Sequence, residues 1–168
     1  MNAKIEELVT HLQLQPHPEG GYYKEVYRSA GIIQQAALGT EFAGDRNYCT
    51  GIYFLLTGTN FSAFHRIKSD ELWHFYDGDT CNVYVIHLNG ELEVIRLGRD
   101  IANGQVYQAV VPAGAWFASE CSNPNGYSLT GCTVSPGFDF ADFEMAERKS
   151  LTNDYPHLED IITKLTRV

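Results

Sequence analysis

The chain predicts an all-β fold, a jelly roll or small barrel with short helices at its two ends. Eight strand-like runs follow one another at about 48–57, 61–67, 71–77, 81–88, 91–97, 106–111, 115–121 and 127–135. The breaks between them carry turn chemistry, as in Asp77-Gly78-Asp79, Asn103-Gly104 and Asn123-Pro124-Asn125-Gly126, where Gly, Asn and Pro supply the backbone angles that turns require. Asn89-Gly90, set between Val85-Ile86-His87-Leu88 and Leu92-Glu93-Val94-Ile95, is the clearest hairpin signal in the chain. Short strands at this spacing build a double-sheet jelly roll or a small barrel.

The elements follow in order. Ile5, Leu8, Val9 and Leu12 recur at helical spacing and predict an amphipathic helix over 3–13, ended by Pro16 and Pro18. Residues 21–28 alternate as an edge strand does, with Tyr23, Glu25 and Tyr27 opposite Tyr22, Val26 and Arg28. His17-Pro18-Glu19-Gly20-Gly21 forms a turn feeding that strand, with Glu19 in reach of a cavity rim. Residues 30–46 carry Gly31, Gly39 and Gly44 without periodicity and read as a loop across the barrel mouth. After the strands, Leu158, Ile161, Ile162 and Leu165 predict a closing helix.

At 168 residues the chain suits one domain spanning 1–168, and 44% hydrophobic residues suffice for a core. A net charge of −9 argues against non-specific nucleic-acid binding, which needs a basic footprint. No segment approaches the ~18 apolar residues of a membrane span, and no signal-peptide pattern opens the chain. Cys49, Cys81, Cys121 and Cys132 lack C-x-x-C spacing, so a cytoplasmic protein with reduced thiols is expected. Cys132 falls in a strand running close to the cavity, where its ordinary role is a small buried hydrophobe.

The chemistry concentrates in Phe64-His65-Arg66-Ile67-Lys68-Ser69-Asp70-Glu71-Leu72-Trp73-His74-Phe75-Tyr76-Asp77-Gly78. Counting by two places Phe61, Ala63, His65 and Ile67 on one face of a strand, and Glu71, Trp73 and Phe75 on one face of the next. If both faces share a cavity, an imidazole and a carboxylate meet against an apolar wall. His74 and Arg66 point to the opposite faces by parity.

These residues resemble the first motif of the cupin superfamily, small β-barrels in which His65 fills the first histidine, Glu71 the glutamate and Gly78 the closing glycine. Ile67 stands at the second histidine position. Gly104, Pro112-Ala113-Gly114 and Ala115-Trp116-Phe117 resemble the second motif, with Phe117 where the third histidine belongs. His17-Pro18-Glu19-Gly20-Gly21-Tyr22-Tyr23, Ile52-Tyr53-Phe54-Leu55-Leu56 and Pro136-Gly137-Phe138-Asp139-Phe140 are similar to the Cupin_5 branch, a domain of unknown function.

The resemblance implies a cupin double-stranded β-helix, a homodimer and a small ligand in the barrel cavity. Catalytic metal sites take three or more protein ligands; with hydrocarbon at Ile67 and Phe117, only His65 and Glu71 remain, so no metal and no cofactor are expected. Within the cupins, the chain resembles the metal-independent deoxysugar epimerases and isomerases. They imply His65 as base, Glu71 as its orienter, and a carbohydrate or nucleotide-sugar as substrate. Tyr22, Tyr53, Tyr76 and Tyr107 are candidates for a proton-returning tyrosine. Tyr53, Ser69, Trp73, Phe75, Gln108, Phe117 and Phe138 are the expected binding residues. Blander readings stand beside this one: His65 as a core histidine satisfied by Glu71, Phe138 and Phe140 as a plug, and the whole as a non-catalytic binding module. A metal-dependent cupin with atypical ligands is a third.

Overall fold

The computed structural model describes residues 3–167. In chain order the elements are α1 (Ala3–His11), β1 (Gln15–Pro16), β2 (Tyr22–Arg28), β3 (Ile32–Ile33), β4 (Arg46–Asn47), β5 (Thr50–Thr57), β6 (Phe61–Arg66), β7 (Asp70–Gly78), β8 (Cys81–Ile86) and β9 (Leu92–Leu97). They continue with β10 (Gln108–Val111), β11 (Trp116–Cys121), β12 (Tyr127–Ser135), β13 (Glu144–Met145), α2 (Arg148–Asp154) and α3 (Glu159–Lys164). The eight strands read from the sequence are β5–β12.

Two antiparallel sheets face each other. One has the order β1-β2-β5-β12-β7-β10, the other β13-β6-β11-β8-β9. Alternation along the strands fills the space between them. Phe54 and Leu56, Trp73 and Phe75, Val83 and Val85, Ile95 and Leu97, and Phe117 are all buried in one cluster, the inward positions of a two-sheet core. Outward positions are covered by helices. Phe64, Ile86 and Ala118 pack against Leu151, Ile162 and Leu165 of the C-terminal segment, while Ile5 and Leu14 cover Leu55 and Leu129. Among the described residues no helix is long and apolar enough to cross a membrane.

Four local departures from the sequence reading matter for the site. Between β6 and β11 the register slips, pairing Phe117 with His65 but Ser119 with Ser62. Ala63 and Phe64 of β6 thus oppose the single Ala118 of β11, a β-bulge. Phe61 consequently packs outward with Phe64 instead of sharing the face of His65. A second irregularity lies between Glu25 and Tyr27 where β2 meets β5, and it brings Arg28 to the same side as Glu25. β2 is also covered at its outer edge by the two residues of β1, so it is not the terminal strand. Residues 30–46 are more structured than a loop: β3 pairs with β4 through Ile32–Asn47 and Ile33–Arg46.

That segment is fastened by a buried ion pair. Arg46 donates from Nε to Asp142 Oδ2 at 2.6 Å and from Nη2 to Oδ1 at 2.6 Å. Both side chains are about 95% buried. The fork geometry of a guanidinium suits such a two-point bond, which ties β4 to the turn that follows Phe138 and Phe140.

Candidate functional site

One end of the barrel is not filled by side chains. A cavity of about 450 Å³ opens there, floored by His65 of β6, Ile67 just after that strand, Glu71 of β7 and Cys132 and Val134 of β12. Thr50 and Ile52 of β5 and the segment from Gln15 to Arg28 make one wall, and Phe138, Asp139 and Phe140 the mouth. The volume falls in the range of small-molecule sites.

The carboxylate bonded to His65 is Glu19, not Glu71. His65 Nε2 lies 2.8 Å from Glu19 Oε2, with both side chains over 90% buried. Glu19 arrives from the turn between β1 and β2, and its position depends on two glycines. Gly20 has φ +115°, a backbone conformation that glycine adopts without the steric cost of a Cβ. A Cβ there would collide with the Phe61 carbonyl and the Arg167 guanidinium. Arg167 Nη2 also donates to the Glu19 carbonyl at 3.2 Å and the Phe61 carbonyl at 3.1 Å, pinning the turn to β6 from the far end of the chain.

The second His65 nitrogen is also occupied. Nδ1 lies 2.7 Å from the Ala63 carbonyl oxygen, and a carbonyl can only accept, so Nδ1 carries a proton. Burial opposes charge on this ring, but the charge and hydrogen bond of Glu19, the Ala63 carbonyl and Glu71 outweigh it and raise the His65 pKa. Burial likewise favours a neutral Glu19, yet the bond to His65 and then the nearby His17 hold it below its ordinary value. The pair is therefore imidazolium and carboxylate. With a hydrogen bond at each nitrogen, His65 has no lone pair to offer a substrate, which corrects its expected role as base.

Glu71 is left as a separate carboxyl on the cavity floor. Burial dominates its environment and pushes its pKa up to about 7, with His65 and Cys132 pulling down and Glu19 pushing up. Its neighbour Cys132 is a thiol held well above its ordinary pKa, chiefly by burial and then by Glu71. Opposite stands His17, whose Nδ1 accepts from the Glu19 backbone N–H at 3.3 Å. Burial lowers the His17 pKa despite the attraction of Glu19. His17 is thus a neutral imidazole with its proton on Nε2, wedged edge-on against Tyr23 at 4.6 Å and stacked on Phe140 at 6.1 Å between centroids.

The expected binding residues divide sharply. Phe138 is at the mouth of the cavity. Trp73, Phe75 and Phe117 belong to the packed core below the cavity; Phe117 touches the site only through its ring, 4.1 Å from that of His65. Ser69 is buried in the β6–β7 turn, away from the cavity lining. Gln108 lies on the outer face of β10, where its amide meets His74 Nδ1 at 2.9 Å. Tyr53 is on the outer face of β5, edge-on to Tyr76 at 6.0 Å. Arg66 points outward to Glu144 at 2.7 Å. Tyr23, not considered for a chemical role from the sequence, is the tyrosine that lines the cavity.

The donor set does not fit the mononuclear metal common in cupins. Ile67 and the Phe117 ring occupy two ligand positions with hydrocarbon, and both nitrogens of His65 are already bonded. Among the described residues no group of three or more His, Cys, Asp or Glu side chains is arranged to hold an ion.

The comparisons with known proteins agree with this architecture. Residues 6–146 match the Cupin_5 family, described as cupin superfamily (DUF985). An uncharacterised protein of Saccharomyces cerevisiae is 31% identical over 150 residues, spanning 83% of this chain and 74% of the yeast protein. A hypothetical protein from Leishmania major superposes with a TM-score of 0.89 at 36% identity, covering 97% of this chain and 98% of the other. A structure from Shewanella oneidensis gives 0.85 at 38% identity, over 99% and 98% of the two chains. Oxalate decarboxylase from Bacillus subtilis shares the fold alone, with a TM-score of 0.54 at 11% identity over 89% of this chain and 36% of its own. Sequence match and barrel architecture together make the chain a member of the Cupin_5 branch of the cupin superfamily.

Proposed function

We propose that this cupin binds a small polar metabolite in the barrel cavity and moves a proton on it, as an isomerase or epimerase does, without a metal. The observation that supports this is Glu71, a buried carboxyl in the cavity floor poised at about 7. A group that titrates near the working pH is best suited to both take and return a proton, and perturbed carboxyls in clefts mark candidate sites. The ionised Glu71 would abstract a proton from a carbon next to a carbonyl, leaving the electron pair on the carbonyl oxygen as an enolate. The Nε2–H of His17 and the fixed positive charge of His65 are the groups suited to stabilise that oxygen. Where the deprotonated carbon bears a hydroxyl, transfer of that hydroxyl proton to the enolate oxygen and return of the proton from Glu71 to the former carbonyl carbon move the carbonyl by one position, an isomerisation. Delivery from the other face gives epimerisation and requires a second donor, for which Tyr23 is the lining candidate.

Deuterium exchange tests this. In D₂O with reducing sugars and keto compounds, proton NMR should show loss of C–H signal catalysed by the protein and suppressed on the order of 10²-fold or more in Glu71→Gln. Exchange that survives in Glu71→Gln removes Glu71 from the chemistry. Ligands that bind but never exchange favour the second reading, a non-catalytic binding module. The full internal satisfaction of His65 supports that reading, since it gives the Glu19–His65 pair a structural task. Homodimer formation is part of the proposal. The exposed Tyr107 and Val110 beside and on edge strand β10 offer a surface that sheet edges commonly cover by pairing. Light scattering that returns a monomer mass would end it.

A further inference from the structure

We infer that the cavity selects an uncharged polar ring and rejects phosphorylated or nucleotide-diphosphate ligands. This rests on the reading of the cavity as the ligand site, and it narrows the substrate class to exclude the nucleotide-sugars that the family resemblance suggested. Arg28 is the single lysine or arginine lining the cavity among the described residues, and it is committed. Its Nε and Nη2 hold the two oxygens of Glu25 at 3.0 and 2.7 Å, Nη1 reaches Asn47 Oδ1 at 2.8 Å, and Nη2 also reaches the Phe138 carbonyl at 3.1 Å. A phosphate would have to break a two-point ion pair to recruit it.

The other charges reinforce this. The imidazolium of His65 is matched by Glu19 at 2.8 Å, and neutral His17 brings no charge. Two positive groups, Arg28 and His65, therefore face the carboxylates Glu19, Glu25 and Asp139, with Glu71 as a fourth acid. An incoming dianion meets net repulsion in a partly desolvated space, where charges interact more strongly than in water. Such repulsion is a specificity device in its own right. An uncharged ring meets no such barrier. It finds Phe140, half-exposed at the mouth with Phe138 edge-on to it at 5.0 Å, as a stacking face. The His17 Nε2–H and the Glu71 carboxyl are its hydrogen-bonding partners deeper in.

The test uses matched pairs that keep the same ring and differ in phosphate: glucose with glucose 6-phosphate, and thymidine with its 5′-diphosphate. Saturation-transfer NMR and calorimetric titration of the full chain should give at least about tenfold tighter binding for an uncharged member than for its partner. Glu25→Gln, which frees Arg28, should narrow that ratio, and Asp139→Asn, which keeps the cap on Ala141 N–H while removing charge, should narrow it as well. Equal or tighter binding of the phosphorylated members, or binding by none of the uncharged ones, overturns the inference. So does a ratio unmoved by both variants. Failure here is separable from failure of the proton-transfer reading, because the binding ratio is read on the parent chain without any turnover, whereas exchange is read on uncharged compounds without reference to phosphate.

Discussion

Glu19 and His65, forty-six positions apart in the chain, form a buried ion pair with Oε2 and Nε2 2.8 Å apart. Each neutralises a charge that the barrel interior would otherwise exclude. The imidazolium is bonded at both nitrogens, and beside it Glu71 is the carboxyl whose pKa burial raises to about 7.

Breaking that pair from either side should be costly. Glu19→Gln and His65→Ala each strand one buried charge, a loss of about 3–5 kcal/mol. The double variant should lose less than the sum of the two, because residues in contact do not act independently. Urea denaturation of the four proteins measures the coupling, and strict additivity would show that the two groups do not interact.

Glu71→Gln should change the pH dependence of stability in a defined direction. At low pH the carboxyl is neutral in both folded and unfolded chains. Between 4.5 and about 7 the unfolded chain has released the proton while the folded one keeps it, so the native protein loses stability as pH rises through this window. The deficit is complete above about 7 and amounts to on the order of 3 kcal/mol. Gln cannot ionise. The variant should therefore match the parent near pH 4 and exceed it at pH 8 in thermal melts, and a difference independent of pH would contradict the assignment.

Gly20→Ala should disturb the site from outside it. The added methyl meets the Phe61 carbonyl and Arg167 in a backbone conformation with positive φ, at a cost above about 1 kcal/mol. Displacing the turn pulls Glu19 from His65, so NMR titration should find the His65 ring releasing its proton at lower pH than in the parent. An unchanged titration would mean that the turn tolerates the methyl without moving Glu19.

Arg46→Ala should destabilise by about 3–5 kcal/mol through the orphaned Asp142, tempered by Lys68, whose Nζ lies 3.7 Å from Asp142 Oδ1. Because the bond tethers the turn carrying Phe140, binding of an uncharged ring should weaken too. Chemical denaturation combined with titration of ribose checks both effects.

Metal depletion should leave the protein unchanged. Hydrocarbon at Ile67 and Phe117 and the doubly bonded His65 leave too few donors, so prolonged dialysis against EDTA followed by manganese, iron or zinc should not shift the melting temperature. A shift of several degrees on adding one of these ions would show that side chains rearrange to bind it.

Much of the barrel is legible along the chain. Val83, Val85, Ile95 and Leu97 alternate with outward residues, and Asn89-Gly90 turns one strand into the next. A period of two and a turn dipeptide are local properties, readable from neighbours alone. Parity counting failed at Phe61 and Arg28, because a bulge inserts one residue and reverses every face beyond it. It also credited Trp73 and Phe75 to the cavity, since alternation tells inward from outward but not how far along the barrel axis the packed core extends.

Local pattern thus settled the strands, their faces between bulges and the residue types available for chemistry. Folding alone settled which acid meets which base. Glu19 reaches His65 because the β1–β2 turn is folded over the open end of the barrel and held there by Arg167, a contact with no counterpart in sequence spacing. The protonation states follow from the same closure, because withdrawal from water and the nearest opposite charge fix them, and both are properties of three-dimensional surroundings.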